Sequence, residues 1–226
     1  MALTKEKAYY KTVRRAVATL NSAATLKEKL DTVVRGTAIS MKAGASLVLL
    51  DSDRTKLIHS QSWGLPQFYL RKGLMDANKS FSEITTQQPL IIGDMSNDSR
   101  VQYPEMAAKA GIMSVLGIPV MLDGSAIGSL RVYAKETHEF TNQDISFVNT
   151  MANITALAFG HSQSDIEQEA AEAGLAMTPE RPTALQQARS VVFAHPSEEE
   201  FSTLGRGRCL SRGIAPWIIR GSGIKL

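Results

Sequence analysis

The amino-acid sequence predicts an α+β fold with an antiparallel sheet, and three observations support this. Two pairs of β-rich segments are each joined by a short polar turn, which is typical of antiparallel strands. The segments before and after these pairs repeat their apolar residues every three, four or seven positions, as helices do. The connection between the two pairs, residues 66–110, has no dominant period. The predicted order is therefore helices, strand pair, irregular connection, strand pair and helix.

Two helices are predicted before the first strand. The apolar side chains of the first helix share one face and are Leu3, Tyr10, Val13, Val17 and Leu20. After a break at residues 21–22, a second helix is expected to begin near Thr25 and to end near Gly44. The apolar stripe of this second helix comprises Leu26, Leu30, Val33, Val34 and Ala38.

The first strand pair is predicted at residues 45–51 and 56–63, with the turn SDRT between them. In the connection that follows, the segment PLII (89–92) is the one apolar piece among short helices and loops. Proteins often build ligand pockets from irregular segments that a regular scaffold holds in place. We therefore expect a pocket beneath residues 66–110.

The second strand pair is predicted at residues 111–122 and 125–134, joined by Asp123–Gly124. An Asp-Gly pair between two β-rich segments is a strong hairpin signal, because glycine accepts the positive φ that such turns need. Both segments are apolar enough to be central strands. Pro119 cannot donate a ladder hydrogen bond, so it predicts a bulge or a bend in its strand.

Two polar residues of the predicted strands are assigned to the surface. Strand alternation places Arg131 on the same face as Ile127, Ser129 and Tyr133. A cation there indicates either a charged ligand or a solvent-facing edge, and we favour the edge. His59 has polar neighbours along its strand, so we expect it at the surface as well.

A closing helix is predicted at residues 142–160. Thr141 is placed to cap it, and Asp144 favours the positive end of the helix dipole. Its buried stripe comprises Ile145, Val148, Ala152, Thr155 and Phe159.

Composition changes after this helix. Residues 161–200 contain eight acidic and two basic residues, whereas residues 201–226 contain five basic residues and no acidic one. These shifts predict three parts: a domain at 1–160, a partly helical acidic linker at 161–189, and a short, poorly ordered basic extension at 190–226. Five positive charges beside a single tryptophan, Trp217, are too few to predict nucleic-acid binding.

The whole composition excludes several function classes. Hydrophobic residues make up 43% and charged residues 21% of the 226 residues, as in ordinary globular proteins. No apolar run reaches the ~18 residues of a membrane span, and the charged N-terminus is unlike a signal peptide, so we expect a cytoplasmic protein. Cys209 is the single cysteine, and the four histidines lack metal-ligand spacing. We therefore expect no catalytic residue, no metal site and no cofactor.

Four segments, in this order, resemble the sequence pattern of the GAF family. They are WGLP (63–66), TTQQPLIIGDMSNDSR (85–100), AGIMSVLGIPVMLDGSAIGSLRVYA (110–134) and HEFTNQDISFVNTMANITALAF (138–159). The resemblance covers nearly all of residues 1–160. It implies an antiparallel sheet of five or six strands with the N- and C-terminal helices on one face and a pocket on the other.

The resemblance also implies a role. GAF domains are typically regulatory, so the expected function is a non-catalytic domain that binds an unidentified small molecule and signals through a homodimer of helices 3–20 and 142–160. Two alternatives remain open: a structural dimerisation module without a ligand, and the sensory remnant of a larger protein.

Eight residues are the candidate ligand contacts: Trp63, Phe68, Phe81, Asp94, Arg100, Tyr103, Ser114 and Leu116. The aromatic members can stack on a planar ligand, or they can be ordinary core residues. The acidic and basic members can orient a polar ligand or pair with each other to hold their loop. The serine hydroxyl, if buried, needs a hydrogen-bond partner.

Cysteine chemistry is unsupported within the family resemblance. Bilin photosensors and methionine sulfoxide reductases of the GAF family use cysteine, and residues 1–160 contain none. A further segment, SVVFAHPSEEEF (190–201), weakly resembles the start of a bacterial nuclease-like domain. No aspartate or glutamate follows Phe201, so we interpret this piece as truncated and inactive.

Overall fold

A computed structural model of the chain describes residues 2–72, 75–77 and 82–172, with side chains for residues 4–72, 75–77 and 82–162. The helices in this part are α1 (Ala2–Leu20), α2 (Leu26–Met41), α3 (Gln67–Leu70), α4 (Glu83–Thr86), α5 (Pro104–Lys109) and α6 (Asn142–Glu172). The strands are β1 (Gly44–Leu50), β2 (Lys56–Trp63), β3 (Met75–Asp76), β4 (Leu90–Ile92), β5 (Ser114–Leu122) and β6 (Ser125–Ala134).

The six strands form one antiparallel sheet in the order β3-β2-β1-β6-β5-β4. The two predicted hairpins, β1–β2 and β5–β6, lie side by side because β1 pairs with β6. The connection 66–110 supplies a short strand to each edge of the sheet and three short helices. The predicted α+β fold with five or six antiparallel strands is confirmed, and the sheet has six.

The turn of the second hairpin has the predicted chemistry, but the strand after it is irregular. Asp123 and Gly124 have φ of 50° and 75°, both in the left-handed region. Val120 pairs with Gly128 and Met121 with Ala126, so Ile127 is an extra residue in β6. The irregularity predicted from Pro119 is therefore a bulge in β6, opposite Val120 and Met121 of β5.

This bulge corrects one expectation. Ile127 packs on the helix-covered side of the sheet and not on the face of Arg131, because the extra residue reverses the alternation of side chains. Gly128, beside the bulge, is required sterically, since a Cβ there would lie 2.2 Å from the carbonyl oxygen of Val48.

One face of the sheet is covered by α1, α2 and α6. Alternate residues of the central strands form the core there, and they are Leu47, Leu49, Leu116, Ile118, Leu130 and Val132. Helices α2 and α6 lie on the strands, and α1 packs on these two helices. No helix among the described residues has the length and apolar character of a membrane span.

The opposite face is covered by the connection. Its side chains form two smaller clusters with residues of the sheet, one around Tyr69, Ile92 and Val115 and one around Leu57, Met75 and Ile84. The connection is therefore packed onto the sheet, as the sequence analysis expected of a pocket cover.

The starts of α2 and α6 are capped by side chains. Thr25 and Glu28 form a reciprocal capping box at α2. At α6, the amide of Asp144 donates to Thr141 Oγ1 (3.3 Å), and the amide of Thr141 donates to Asp144 Oδ2 (3.0 Å). The predicted cap at Thr141 is confirmed. Helix α6 is longer than predicted and continues into the acidic segment up to Glu172; the rest of the predicted linker and the whole basic extension lie outside the described residues.

Asp144 also joins α1 to α6. Its side chain is fully buried, and its Oδ1 accepts from Tyr9 Oη (2.5 Å) and Lys5 Nζ (2.7 Å). Burial of the carboxylate raises its pKa, but the hydrogen bonds from Lys5, Tyr9 and Thr141 outweigh burial and lower the pKa to about 2. The tyrosine ring stacks on Phe147, with 3.9 Å between centroids.

Replacement of this carboxylate tests the junction. We expect Asp144→Asn to lower the free energy of unfolding at pH 7 by about 1.5–3 kcal/mol, since the neutral amide loses charge-assisted hydrogen bonds. Because the folded-state pKa lies below the ordinary value of 3.8, the stabilisation is present above pH 4 and is lost as the pH falls through about 2. Urea denaturation from pH 7 to pH 2 should show the two proteins converging.

Asp98→Asn is the matched control, because Asp98 forms a more exposed ion pair with Arg100. Its effect should stay below about 1 kcal/mol. An Asp144→Asn protein as stable as this control at pH 7 would contradict the role assigned to the junction.

Candidate functional site

A small cavity lies between the sheet and the connection, on the face opposite the helices. Its lining residues are Tyr69, Lys72, Met75, Met95, Val101, Gln102, Tyr103 and Arg131. The empty space is about 280 Å³, including the part open to solvent, and its closed part has room for about one water molecule. The lining combines apolar and aromatic side chains with two cationic residues.

The centre of this site is a buried ion pair. Arg131 on β6 and Glu83 on α4 are both fully buried, and Arg131 Nε donates to Glu83 Oε1 at 2.7 Å. Arg131 Nη1 also lies 3.5 Å from Met75 Sδ. Burial lowers the pKa of Arg131, but the charge of Glu83 outweighs it, so the guanidinium stays charged. The expectation that Arg131 faces solvent is wrong, because the connection covers this face of the sheet.

A glycine makes room for the pair. Gly117 of β5 is the strand partner of Arg131, and a Cβ on Gly117 would lie 3.0 Å from Glu83 Oε1. The carboxylate of Glu83 therefore rests on the bare backbone of β5. Any larger residue at this position would push against it.

A second polar group runs from Lys72 to Ser46 through His59. Lys72 Nζ lies 3.4 Å from His59 Nε2, and His59 Nδ1 lies 2.6 Å from Ser46 Oγ. Burial, followed by the charges of Lys72 and Arg131, lowers the pKa of His59 to about 3. The imidazole is therefore neutral at pH 7 and accepts at Nε2 from Lys72 while it donates from Nδ1 to Ser46. The expectation of a surface histidine is wrong, because both ring nitrogens of His59 contact side chains of this polar group, Ser46 and Lys72.

Lys72 is itself a perturbed cation. Its ammonium lies 3.5 Å from the ring centroid of Tyr69. Burial, followed by repulsion from Arg131, lowers the pKa of Lys72 to about 7. At neutral pH the site therefore contains one permanent cation, one half-protonated cation and one carboxylate.

Several buried acceptors near this site have no hydrogen-bond partner among the described residues. They include Glu83 Oε2 and Gln102 Oε1. Buried polar atoms are usually satisfied, so unsatisfied ones mark places where a bound group has something to gain. In the described part of the chain, no three His, Cys, Asp or Glu side chains converge as metal ligands would.

A family model described as a GAF domain matches residues 19–160, which is more than half of the chain. The chain belongs to the GAF domain family. The resemblance stated from the sequence is thus confirmed.

A curated relative is a sensor. The methyl sulfide methyltransferase-associated sensor of Methanosarcina acetivorans is 24% identical over 159 residues, which are 66% of this chain and 16% of that protein. The chain therefore spans about a sixth of the length of this relative. Together with the family match, this supports a sensory or signalling domain.

Solved GAF domains share the fold. The GAF domain of a phosphoenolpyruvate-protein phosphotransferase from Coxiella burnetii is 21% identical, with a TM-score of 0.62 over 70% of this chain and 96% of that one. The corresponding Acinetobacter domain is 23% identical, with a TM-score of 0.59 over 70% and 97%. A free methionine-R-sulfoxide reductase from Neisseria meningitidis, solved with its substrate, is 14% identical, with a TM-score of 0.60 over 70% and 93%.

Among the eight candidate contacts of this GAF domain, Tyr103 lines the cavity. Trp63 lies under the guanidinium of Arg35, 4.4 Å from its ring centroid, and packs against the helix-side core. Phe68 is 37% exposed beside Lys109. Phe81 lies outside the described residues.

The polar candidates lie away from the cavity lining. Asp94 accepts from the amide and hydroxyl of Ser96 within its own loop. Arg100 pairs with Asp98 and not with Asp94, so the suggested pairing of the two candidates is wrong. These residues form a local turn at the surface.

The two strand candidates face the helices. Ser114 Oγ is buried and donates to the carbonyl oxygen of Glu136 at 2.8 Å, which is the partner that the sequence analysis required. Leu116 belongs to the helix-side core, because it alternates with Val115 and Gly117 on the cavity side. The structure thus does not bring these two residues to the cavity.

Sequence reasoning missed most of the polar site. Glu83, Lys72 and Gln102 sit in irregular segments where no period indicates a facing direction. The usable signal was Arg131 itself, a lone cation in an apolar central strand. Its partner is 48 residues away in the chain, and no spacing rule connects them.

The buried pair makes a stability prediction. Arg131→Met leaves Glu83 as an uncompensated buried carboxylate, so we expect a loss of about 3–5 kcal/mol in the free energy of unfolding. The double variant Arg131→Met/Glu83→Leu removes both charges and should recover most of that loss. Guanidinium chloride denaturation at pH 7 measures both, with the exposed Arg100→Met as control. Additive losses in the double variant would show that the two charges are not coupled.

Proposed function

We propose that this GAF domain is a non-catalytic sensor that binds a small polar molecule at the Arg131 cavity and signals through a helical homodimer. The observation that supports this most directly is the buried, charged cavity on the sheet face opposite the helices. Purely structural packing of that face would be served by apolar residues alone, which avoid the desolvation cost of buried charge.

The composition of the cavity favours binding over catalysis. Its lining contains no thiol, although a reductase is among the proteins of the same fold. The hydroxyl of Ser46 lies beside His59, but it is fully buried in β1 and accepts from a neutral imidazole. The polar groups are therefore suited to orient a ligand and not to attack one.

The sheet provides a route from the cavity to the helices. Arg131 points to the cavity, while its neighbours Leu130 and Val132 pack in the helix-side core. A shift of Arg131 would displace β6. It would thereby also displace α6, which packs on β5 and β6. Asp144 then couples α6 to α1.

The dimer is proposed to form on the outer faces of α1 and α6. Apolar side chains are exposed on both helices: Tyr10 by 67%, Val17 by 40% and Leu157 by 53%. Exposed apolar side chains on adjacent helices are suited to burial against a second copy. A ligand would act by shifting the population of two helix arrangements.

Ligand binding is tested by thermal shift and calorimetry of the full chain with a panel of amino acids, nucleotides and organic acids. A ligand at ~100 times its dissociation constant adds ~2.7 kcal/mol to stability. Tyr103→Ala removes a lining ring and should weaken the response at least about tenfold, as expected for a lost aromatic contact. Ile91→Ala, which removes an exposed side chain on edge strand β4, should bind normally.

No response to any member of the panel would contradict the ligand part of this proposal. It would favour the second candidate, a structural dimerisation module, for which the small closed volume of the cavity is the supporting observation.

Dimerisation is tested by sedimentation equilibrium. The wild-type chain should sediment as a dimer, and the double variant Val17→Lys/Leu157→Lys as a folded monomer, because charge replaces apolar contact in the interface. Ile91→Lys is the matched control, since Ile91 is 39% exposed on edge strand β4. A wild-type monomer at all concentrations, or a double variant that dimerises like the control, would contradict the proposed interface.

A further inference from the structure

The carboxylate of Glu83 occupies the most favourable anion position in the cavity region. It comes from α4 in the connection and reaches Arg131 on the sheet, with both side chains fully buried. Arginine and a carboxylate can pair through two parallel hydrogen bonds. Glu83 is bound to the guanidinium through Oε1, and its Oε2 has no hydrogen-bond partner among the described residues. Among the described residues, the carboxylate of Glu83 is therefore only partly satisfied.

Among the described residues that line the cavity there are two cationic side chains and no acidic one. Arg131 and Lys72 both line the cavity, and each opposes the other's charge. Glu83 pairs with Arg131, whereas Lys72 Nζ lies 3.4 Å from His59 Nε2 and 3.5 Å from the ring centroid of Tyr69. An added anion would relieve this repulsion inside a poorly solvated space, where charge interactions are strong.

The cavity is also open to a group of the right size. Tyr69 and Tyr103 border it together with Met75 and Met95. A ligand whose anionic group binds Arg131 could therefore place a small apolar or aromatic substituent against these side chains. The closed volume holds about one water molecule, so a ligand has to displace something. The carboxylate of Glu83 is the group whose removal frees space on the guanidinium itself.

We propose that the ligand is a small organic carboxylate. In the absence of ligand, the carboxylate of Glu83 occupies the ligand's position on Arg131, and the ligand displaces Glu83 when it binds. The inference rests on the proposed ligand-sensing function and names the chemical class of the ligand. Lys72 supplies the second positive contact, and Tyr69 and Tyr103 flank the ligand's remainder. Glu83 acts as an internal competitor that sets the ligand concentration at which the sensor responds.

The test is a titration of the full chain with acetate, succinate and benzoate at constant ionic strength and pH 6.5, followed by calorimetry and ligand-observed NMR. The wild-type chain should bind at least one of these probes saturably. Glu83→Gln keeps the shape of the side chain but removes the competing charge. It should bind that probe at least about tenfold more tightly, because the wild-type protein must first give up a state in which Glu83 occupies Arg131. Arg131→Met should abolish binding.

Two further variants keep the result interpretable. Gly117→Ala retains the charge of Glu83 but places a Cβ 3.0 Å from its Oε1, so it should loosen the pair and also tighten binding, even if Glu83→Gln folds poorly. Asp98→Asn, in the surface pair with Arg100, should bind like the wild type. Acetamide, a neutral analogue of acetate, should bind none of the proteins.

The outcomes separate this inference from the proposed function. Weaker binding by Glu83→Gln than by the wild type would indicate that Glu83 contacts the ligand, and it would overturn the claim that Glu83 competes with the ligand for Arg131. Saturable binding of the same probe by Arg131→Met would overturn the carboxylate site. Binding in the Glu83 and Gly117 variants but never in the wild type would overturn the claim that a ligand replaces Glu83 in the native protein. A wild-type chain that binds nucleotides of the broad panel, but none of its amino acids or organic acids, would keep the sensor function and overturn the carboxylate class.

Discussion

The ion pair between Arg131 and Glu83 is the contact on which the second half of this fold depends. It joins a central strand to the irregular connection, and it is buried at a place where neither charge can reach water. Such a pair adds little net stability compared with apolar packing, yet losing one partner is costly. It therefore specifies where the connection sits on the sheet more than how tightly the whole chain folds.

The two faces of the sheet are built on different principles. The helix side is a continuous apolar core, and the buried charge of Asp144 is satisfied there by hydrogen bonds from three residues. The cavity side combines small apolar clusters with partly satisfied polar groups. Regulatory sites are expected on the less completely packed side, because rearrangement there costs less free energy. The GAF family membership and the sensor relative agree with this division.

Glycines and the β-bulge shape the site without contributing side chains. Gly117 leaves space for the carboxylate of Glu83, and Gly128 allows β6 to approach the backbone of β1 at the bulge. The bulge sends Ile127 to the helix side and leaves Ser129, Arg131 and Tyr133 on the cavity side. A change of one residue in this strand would turn the guanidinium toward the helices.

The sequence by itself determined the helices, both hairpins, the Asp123–Gly124 turn and the cap at Thr141, because each depends on residues within a few positions of one another. The family pattern extended this to the layer order. Only the tertiary structure decided that Arg131 is buried, that Glu83 is its partner, and that Lys72 and His59 form a second polar group on the same side of the sheet. These residues are brought together by the packing of an irregular connection whose backbone has no repeating direction, so no local rule could assign their side chains to a face.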